Sequence, residues 1–270
     1  AFRNCDSLES IEIPNSLTTT KTYPYNGYDG PFHFCDGLKN VTFEEGTTKI
    51  PRYLFYYCTG LEEVAIPDTV VTIEENAFGY CSSLRTVKMS DNVSLIDNYA
   101  FTECTKLRDI TLPKNLQTLG YSAFRNCDSL ESIEIPNSLT TTKTYPYDGY
   151  DGPFHFCDGL KNVTFEEGTT KIPRYLFYYC TGLEEIAIPD TVTKIEENAF
   201  GNCNNLRYVQ ITDGVKNIVN SAFQNSTSVT FNCPLESIAT IYAIEHDIPF
   251  ILSDTLSVDT SGMLDKGKNS

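Results

Sequence analysis

The chain has 270 residues, of which 40% are hydrophobic and 21% are charged, and this composition excludes an intrinsically disordered protein. Its formal net charge of −16 at pH 7 would repel a nucleic-acid backbone and an anionic membrane surface, so we expect neither as a partner. No apolar run reaches the ~18 residues of a membrane span, so we expect no direct insertion into a membrane.

The first phrase of the chain, AFRNC at residues 1–5, returns at 123–127 as part of a long internal duplication. Residues 1–84 match 123–206 at 77 of 84 positions, and the differences stand at 26, 64, 71, 72, 80, 82 and 83. This near identity indicates that a 122-residue block was duplicated recently. Because the chain begins inside a repeat and no signal peptide precedes it, we interpret it as a fragment.

A shorter repeat with the pattern AFxxCxxLxxIxIP runs through both blocks. About ten units follow one another every 23 residues, except that the first unit of each block has 30. They begin at Ala1, Pro31, Leu54, Ala77, Ala100, Ala123, Pro153, Leu176, Ala199 and Ala222. A period of 23 lies within the 20 to 29 residues of leucine-rich repeats.

Each unit contains one predicted strand, of which LESIEIP at 8–14 is the first. There Ile11 and Ile13 are predicted to point inward, and Ser10 and Glu12 outward. Such strands bury their apolar faces when they stack as a parallel sheet over one continuous core. Segments such as EENAFGYC have helix-turn character and return the chain. The phenylalanines at 2, 32, 55, 78, 101, 124, 154, 177, 200 and 223 are predicted to form a core stack.

The two 30-residue units carry the aromatic phrases TYPYNGYDGPFHF at 22–34 and TYPYDGYDGPFHF at 144–156. His33 and Phe34 occupy the third and fourth positions of their unit, which Arg3 and Asn4 hold in the first unit. Polar residues there predict exposure to solvent, so we expect an exposed aromatic patch that binds a partner. Its candidate residues are Tyr23, Tyr25, Tyr28, Asp29, His33, Phe34, Tyr56 and Tyr57, with Tyr145, Tyr147, Tyr150, Asp151, His155, Phe156, Tyr178 and Tyr179 in the second copy. Alternatively, the tyrosines pack against the solenoid and only close a longer loop.

The two aromatic phrases lie five units apart, which places them ~25 Å apart on one flank. Two weak sites at a fixed separation bind an extended or repetitive partner with avidity. Replacing Tyr25 and Tyr28, or Tyr147 and Tyr150, is therefore expected to weaken binding, and replacing all four to abolish it.

The outward strand positions, such as Asn40 and Thr42, are small and polar. They are expected to form a solvated sheet face, with a concave binding surface as the alternative.

Nine of the ten cysteines occupy one position of the repeat, and only Cys233 lies outside it. We expect free buried thiols, because side chains stacked in parallel suit the disulfide dihedral badly; disulfides and a metal site are the less favoured alternatives. His33, His155 and His246 form no catalytic constellation, so we predict neither an enzyme nor a cofactor. A calcium loop at DGYDG, residues 148–152, is a weak alternative since the pattern lacks a distal glutamate.

After the repeats of residues 1–228, residues 229–252 are predicted to form a C-terminal cap of a strand, a helix and a final strand. The helix, LESIATIYAIEHD, brings Ile238, Ile241, Tyr242 and Glu245 near one another. Residues 253–270 are polar and are interpreted as a tail or linker.

The fixed order of Phe, Cys, Leu, Ile and Pro, from residue 1 to about 252, resembles the BspA-like leucine-rich repeat family. The sequence departs from that family in lacking an N-terminal cap, and Ser226 stands where a cysteine is expected. The resemblance implies a leucine-rich-repeat solenoid of the α/β horseshoe class, strand-dominated, with a parallel sheet along one face.

In function, the resemblance implies a non-enzymatic adhesin-type scaffold at the cell surface or secreted. Its partner would be a protein or glycan ligand on a host or neighbouring cell. The alternatives are a structural stalk that displays another domain and a recognition module of a larger enzyme.

Overall fold

The computed structural model describes residues 2–20, 30–144 and 151–253, which form nineteen strands and one helix. In chain order the strands are Ser10–Ile13 (β1), Asn40–Phe43 (β2), Lys49–Ile50 (β3), Glu63–Ala65 (β4), Thr72–Ile73 (β5), Thr86–Lys88 (β6), Leu95–Ile96 (β7), Asp109–Ile110 (β8), Thr118–Leu119 (β9), Ser132–Ile135 (β10), Thr141–Thr142 (β11), Asn162–Phe165 (β12), Lys171–Ile172 (β13), Glu185–Ala187 (β14), Lys194–Ile195 (β15), Tyr208–Gln210 (β16), Asn217–Ile218 (β17), Thr230–Cys233 (β18) and Phe250–Leu252 (β19). The helix is Ile238–Glu245 (α1).

All strand pairs are parallel, which confirms the predicted solenoid. The predicted strands pair in the order β1-β2, β4-β6-β8, β10-β12 and β14-β16-β18-β19. A second row of eight two-residue strands pairs in the order β11-β9-β7-β5-β3 and β13-β15-β17 on the return of eight described coils. Glu63 lies beside Thr86, one 23-residue unit later, whereas Ser10 lies beside Asn40. The seven additional residues of the long unit therefore leave the strands in register.

Alternation along the strands separates the core from the outer face of the sheet. Val64 and Val87 are buried, while Glu63 and Ala65 beside them are exposed. The same period of two was predicted from the sequence, and it follows from the pleat of a strand. One hydrophobic core consequently runs through the stacked coils.

The predicted phenylalanine stack is confirmed as a ladder of ten rings along that core. Successive ring centroids are 5.1 to 5.8 Å apart, and the ring planes differ by at most 20°. Backbone hydrogen bonds between coils hold this spacing: the Phe78 N–H donates to the Ala100 carbonyl at 2.9 Å, and the Phe101 N–H to Ala123 at 2.8 Å. The same bond is made at seven of the ten described rungs, so the ladder is tied to the backbone along its length.

All ten cysteines are free thiols, as expected, and all but the half-buried Cys5 are buried. Cys104 Sγ donates to the carbonyl oxygen of Phe78 at 3.2 Å, and Cys127 Sγ to that of Phe101 at 3.3 Å. Burial raises the pKa of both thiols, so they remain protonated donors. Ser226 Oγ makes the equivalent bond to Phe200 at 2.5 Å. At eight of the ten units the small side chain at this position donates to the preceding coil, so serine can replace cysteine there.

The return segments do not form helical turns in succession, although EENAFGYC was expected to have helix-turn character. The N–H of Ala77 donates to the Glu74 carbonyl and that of Gly79 to the Asn76 carbonyl, both at 3.2 Å, which are bonds of separate turns. Asn76 and Tyr80 have left-handed φ values of 53° and 61°. A left-handed residue interrupts a right-handed helix, so the segment around each phenylalanine consists of turns and not of a helix.

The C-terminal end forms β18, α1 and β19, in the predicted order of strand, helix and strand. The Ser237 hydroxyl caps α1 by accepting a hydrogen bond from the N–H of Thr240. Tyr242 packs its ring against Phe223 and Phe231, with centroids 6.1 Å away from each. Of the four residues that the pattern groups together, only Tyr242 is buried; the buried face is Ala239, Thr240, Tyr242 and Ala243. Small residues flank the tyrosine there because the helix lies close to the last coil.

Candidate functional site

The fourth position of every unit has a left-handed backbone. Its φ lies between 54° and 62° in Asn4, Phe34, Tyr57, Tyr80, Glu103, Asn126, Phe156, Tyr179, Asn202 and Asn225. Asparagine tolerates this conformation, whereas most other L-residues adopt it at a cost of roughly 1–2 kcal/mol each. Aromatic residues at this position therefore occupy it against the backbone preference.

In the first block, three aromatic side chains at the fourth position form a row across adjacent coils. The ring centroids of Phe34 and Tyr57 are 5.1 Å apart, and those of Tyr57 and Tyr80 are 4.3 Å apart with the planes only 8° from parallel. Phe34 is 38% exposed, and the two tyrosines are half-buried. We call these three residues the first aromatic row.

The second block has a shorter row, which we call the second aromatic row. It consists of Phe156 and Tyr179, whose centroids are 5.6 Å apart and whose planes are inclined by 68°. Both residues are half-buried. In the next coil Asn202 stands in the place of Tyr80, which is one of the seven differences between the blocks. The two copies therefore present different aromatic surfaces.

The aromatic residues at the third position are buried, so the expected exposure of His33, Tyr56, His155 and Tyr178 is wrong. A Cβ built on Gly79 would lie 3.0 Å from Cδ2 of the Tyr56 ring, and one on Gly201 would lie 2.9 Å from Cδ2 of Tyr178. Each tyrosine thus fills the space over a glycine in the next coil. The polar residues of the first unit predicted exposure, but a glycine at this position in the next coil makes room for the ring.

The buried rings support the exposed rows from beneath. In the first block, His33 stacks on Phe34 at 4.1 Å, and Tyr56 contacts Tyr57 edge to face at 4.9 Å. In the second block, His155 stacks on Tyr179 at 5.1 Å. Offset and edge-to-face ring pairs stabilise such clusters beyond their buried area. The rows are therefore held in fixed orientations.

At the start of the described residues after the second aromatic loop, an aspartate lies against a histidine. His155 Nδ1 lies 2.9 Å from Asp151 Oδ1. The hydrogen bond from His155 lowers the pKa of Asp151 against the opposing effect of burial, and Arg125 lowers it further. The Arg125 guanidinium also lies 5.8 Å from the centre of the Phe156 ring, within the range of a cation–π contact. The Asp151 carboxylate and the Arg125 guanidinium thus lie beside the second aromatic row.

Replacing Asp151 by asparagine is expected to lower the free energy of unfolding by ~1–2 kcal/mol at pH 6, because a charge-assisted hydrogen bond is lost. Since the pKa of Asp151 is lowered in the folded state, its contribution is present above the unfolded pKa of ~3.9 and disappears as the pH falls through the folded pKa. Urea unfolding of both proteins at pH 6 and pH 3 measures the difference. An equal difference at both pH values would contradict this assignment.

Seven of the candidate residues lie outside the residues that the structure describes. These are Tyr23, Tyr25, Tyr28, Asp29, Tyr145, Tyr147 and Tyr150. Their predicted part in binding stays a prediction. The calcium hypothesis for DGYDG also rests largely on undescribed residues, and Asp151 of that phrase is the partner of His155.

The outer face of the sheet carries polar side chains and is a separate candidate surface. A groove of about 440 Å³ crosses β12, β14 and β16 and is lined by residues that include Asn162, Thr164, Glu185, Tyr208 and Gln210. Tyr208 is exposed on this face, where the first block has Thr86. The sequence predicted a solvated face of small polar residues, and the exposed tyrosine is the difference.

Sequence reasoning missed Tyr80 and Tyr208 as candidate binding residues. Tyr80 shares the fourth position with Phe34 and Tyr57, so aligning all units on that position would have found it. Tyr208 is an outward strand residue, and its signal is an aromatic side chain among small polar ones.

The family described as the BspA type leucine-rich repeat region matches the sequence in six copies, over residues 1–29, 28–152 and 150–244. No curated protein matches the chain. In the described residues, no helix has the length and apolar character needed to cross a membrane.

Several solved structures are similar to the chain. A leucine rich cell surface protein from Faecalibacterium prausnitzii A2-165 is 23% identical over 88% of this chain and 82% of that chain, with a TM-score of 0.42. The pneumococcal vaccine antigen PcpA is 19% identical over 91% of this chain and 68% of that chain, with a TM-score of 0.51. A leucine-rich repeat protein from T. pallidum is 25% identical over 63% and 77% of the two chains, with a TM-score of 0.43. The likeness to PcpA shows the shared fold.

Proposed function

The chain belongs to the BspA-type leucine-rich repeat family, and from this membership we propose that it is a non-enzymatic binding scaffold of the adhesin type. It acts at the cell surface or as a secreted protein, and its ligand is a protein or glycan on a host or neighbouring cell. The two aromatic rows are its contact surfaces.

The observation that carries the proposal is the aromatic occupancy of a left-handed backbone position. Phe34, Tyr57, Tyr80, Phe156 and Tyr179 adopt φ values near 55° to 61°, where asparagine stands in other units. Strained backbone at a surface position is a common mark of a functional site. The rings stay partly exposed, although full burial would stabilise the fold more.

The chemistry of the rows narrows the ligand. Ring faces and phenol hydroxyls contact apolar side chains and sugar C–H faces, and they also supply hydrogen bonds. The net charge of −16 disfavours a polyanionic ligand at long range. We therefore propose a neutral glycan, or a protein surface with apolar and basic side chains.

The stalk alternative has one observation in its favour, the near-identical duplication of 122 residues, since adding blocks lengthens a spacer. A stalk needs no ligand of its own. A recognition module of a larger enzyme binds as proposed here and differs only in what it is attached to.

A binding screen with the full chain tests the proposal. Immobilised protein is exposed to a glycan array and to a panel of host matrix proteins. The affinity of each hit is then measured for the wild type and for a variant with Phe34, Tyr57, Phe156 and Tyr179 replaced by asparagine. We expect at least a ~10-fold loss of affinity, about 1.4 kcal/mol of binding free energy.

Asparagine is the matched substitution because Asn4, Asn126, Asn202 and Asn225 already occupy the same left-handed position. The variant is therefore expected to stay folded, which a thermal unfolding curve checks. Tyr208→Thr is the control, since it changes the outer sheet face to the residue of the first block. If only the Tyr208→Thr variant loses binding, the contact surface is the outer sheet face and not the aromatic rows. If no glycan or matrix protein binds, the result favours the structural stalk.

A further inference from the structure

The outward side of the C-terminal helix and the strand that follows it are apolar. The exposed fractions are 57% for Leu235, 37% for Ile238, 48% for Ile241, 63% for Ile244, 38% for Phe250 and 51% for Ile251. The opposite side of the helix already covers the last coil through Tyr242 and two alanines. The exposed side chains therefore do not serve the core of the described chain. We call these six residues the cap patch.

The cap patch is a local feature and not a general property of the surface. The described residues include ten exposed large hydrophobic side chains, and six of these lie within residues 235–251. The terminal repeat of a solenoid ordinarily needs a polar outer face to remain soluble. A patch of aliphatic side chains at this end is instead typical of a protein interface.

We propose that the cap patch is the interface through which two copies of this chain associate, end to end and about a twofold axis. Helix residues Ile238, Ile241 and Ile244 follow one another at three-residue spacing, so one stripe meets the same stripe of the second copy. An isologous contact of this kind closes after two copies.

The exposed apolar area supplies most of the area that a dimer requires. The exposed fractions of the six side chains amount to about three fully exposed residues, or roughly 500 Å² per copy at ~150–200 Å² for each large side chain. Two copies would bury about 1,000 Å² from these residues alone. Specific interfaces bury about 1,200–2,000 Å² in total, so a polar rim supplies the remainder.

Charge gives the proposed interface a distinctive salt dependence. Glu236, Glu245 and Asp247 are exposed beside the cap patch, and each copy carries a net charge of −16. Like charges repel when the two ends meet, and salt screens that repulsion. Dimerisation is therefore strengthened by salt, whereas binding of a basic partner would be weakened.

Sedimentation velocity of the full chain at 1 to ~100 μM tests the proposal, in ~50 mM and ~500 mM NaCl. We expect a species of twice the 30.3 kDa monomer mass, with a dissociation constant several-fold lower at high salt. The double substitution Ile241→Asp and Ile244→Asp is expected to weaken the dimer at least 100-fold. Ile241→Ser tests the same contact more mildly and should weaken it several-fold.

Val71→Asp is the matched control, since Val71 is an exposed aliphatic residue in the middle of the solenoid. It should leave the dimer intact. A monomer at every concentration and salt condition, or a dimer that survives the double substitution, overturns the proposal. The cap-patch substitutions leave both aromatic rows unchanged. A loss of dimerisation therefore does not test ligand binding by the rows, and the two proposals can fail independently.

Discussion

Replacing Phe101 by alanine is expected to lower the free energy of unfolding by about 3–5 kcal/mol. The ring is fully buried between Phe78 at 5.3 Å and Phe124 at 5.4 Å. The neighbouring rings cannot close the gap, because backbone hydrogen bonds from Phe78 and Phe101 to the next coil set the spacing of the rungs. The cavity therefore remains and its cost is high. Urea unfolding followed by circular dichroism measures the difference.

Phe2→Ala is the matched control for that experiment. Phe2 is the first described ring of the same ladder, stacked on Phe32 at 5.4 Å, but it is half-exposed. Its removal is expected to cost less than half as much, since less apolar area is lost from the core. Equal losses at the two positions would contradict a rigid, evenly spaced ladder.

Removing one aromatic row is expected to reduce the apparent affinity for a surface that carries many ligand copies by about 100-fold or more. The change is Phe34→Asn, Tyr57→Asn and Tyr80→Asn in one variant, and Phe156→Asn with Tyr179→Asn in the other. The rows are five coils apart, or ~25 Å, so one extended partner engages both at once. Binding to a monovalent ligand should change only ~2-fold, because one of two sites remains. Biolayer interferometry in both formats gives the two values.

Tyr80→Asn and Asn202→Tyr are the controls, because they exchange the one fourth-position difference between the copies. The first shortens the first aromatic row to the length of the second, and the other substitution lengthens the second row. Their effects on monovalent affinity should be opposite in sign. Equal loss in the monovalent and multivalent formats for the one-row variants would exclude avidity. This prediction depends on the proposed function.

The repeat predicted the fold well because each conserved position of the repeat unit has one structural role in every coil. The phenylalanine ladder, the alternation in strands such as Glu63–Ala65 and the free cysteines all follow from stacking identical coils. A residue such as Cys104 is recognisable from sequence, since its neighbours above and below carry the same residue. The sequence also places Ser226 at the cysteine position, and the shared hydrogen bond to the preceding phenylalanine carbonyl explains why serine fits there.

The candidate site was predicted less well because its residues depend on the coil next to them. Tyr56 was expected at the surface, but Gly79 in the following coil provides the space that buries it. The exposure of Phe34 was predicted from the polar residue of the first unit, but the left-handed backbone at this position was not. The helix α1 was also predicted only in part. Its apolar pattern identifies a stripe of side chains, but it does not show which side of the helix packs against the last coil.

The strand register bears on how such a protein changes over generations. Ser10 pairs with Asn40 and Ser132 with Asn162 across offsets of 30, yet both pairs match the geometry of the 23-residue coils. Natural variation in the segments between Ile13 and Pro31, or between Ile135 and Pro153, therefore leaves the stacked rings in place. One coil in each block can therefore change in length and sequence, while the remaining coils preserve the architecture.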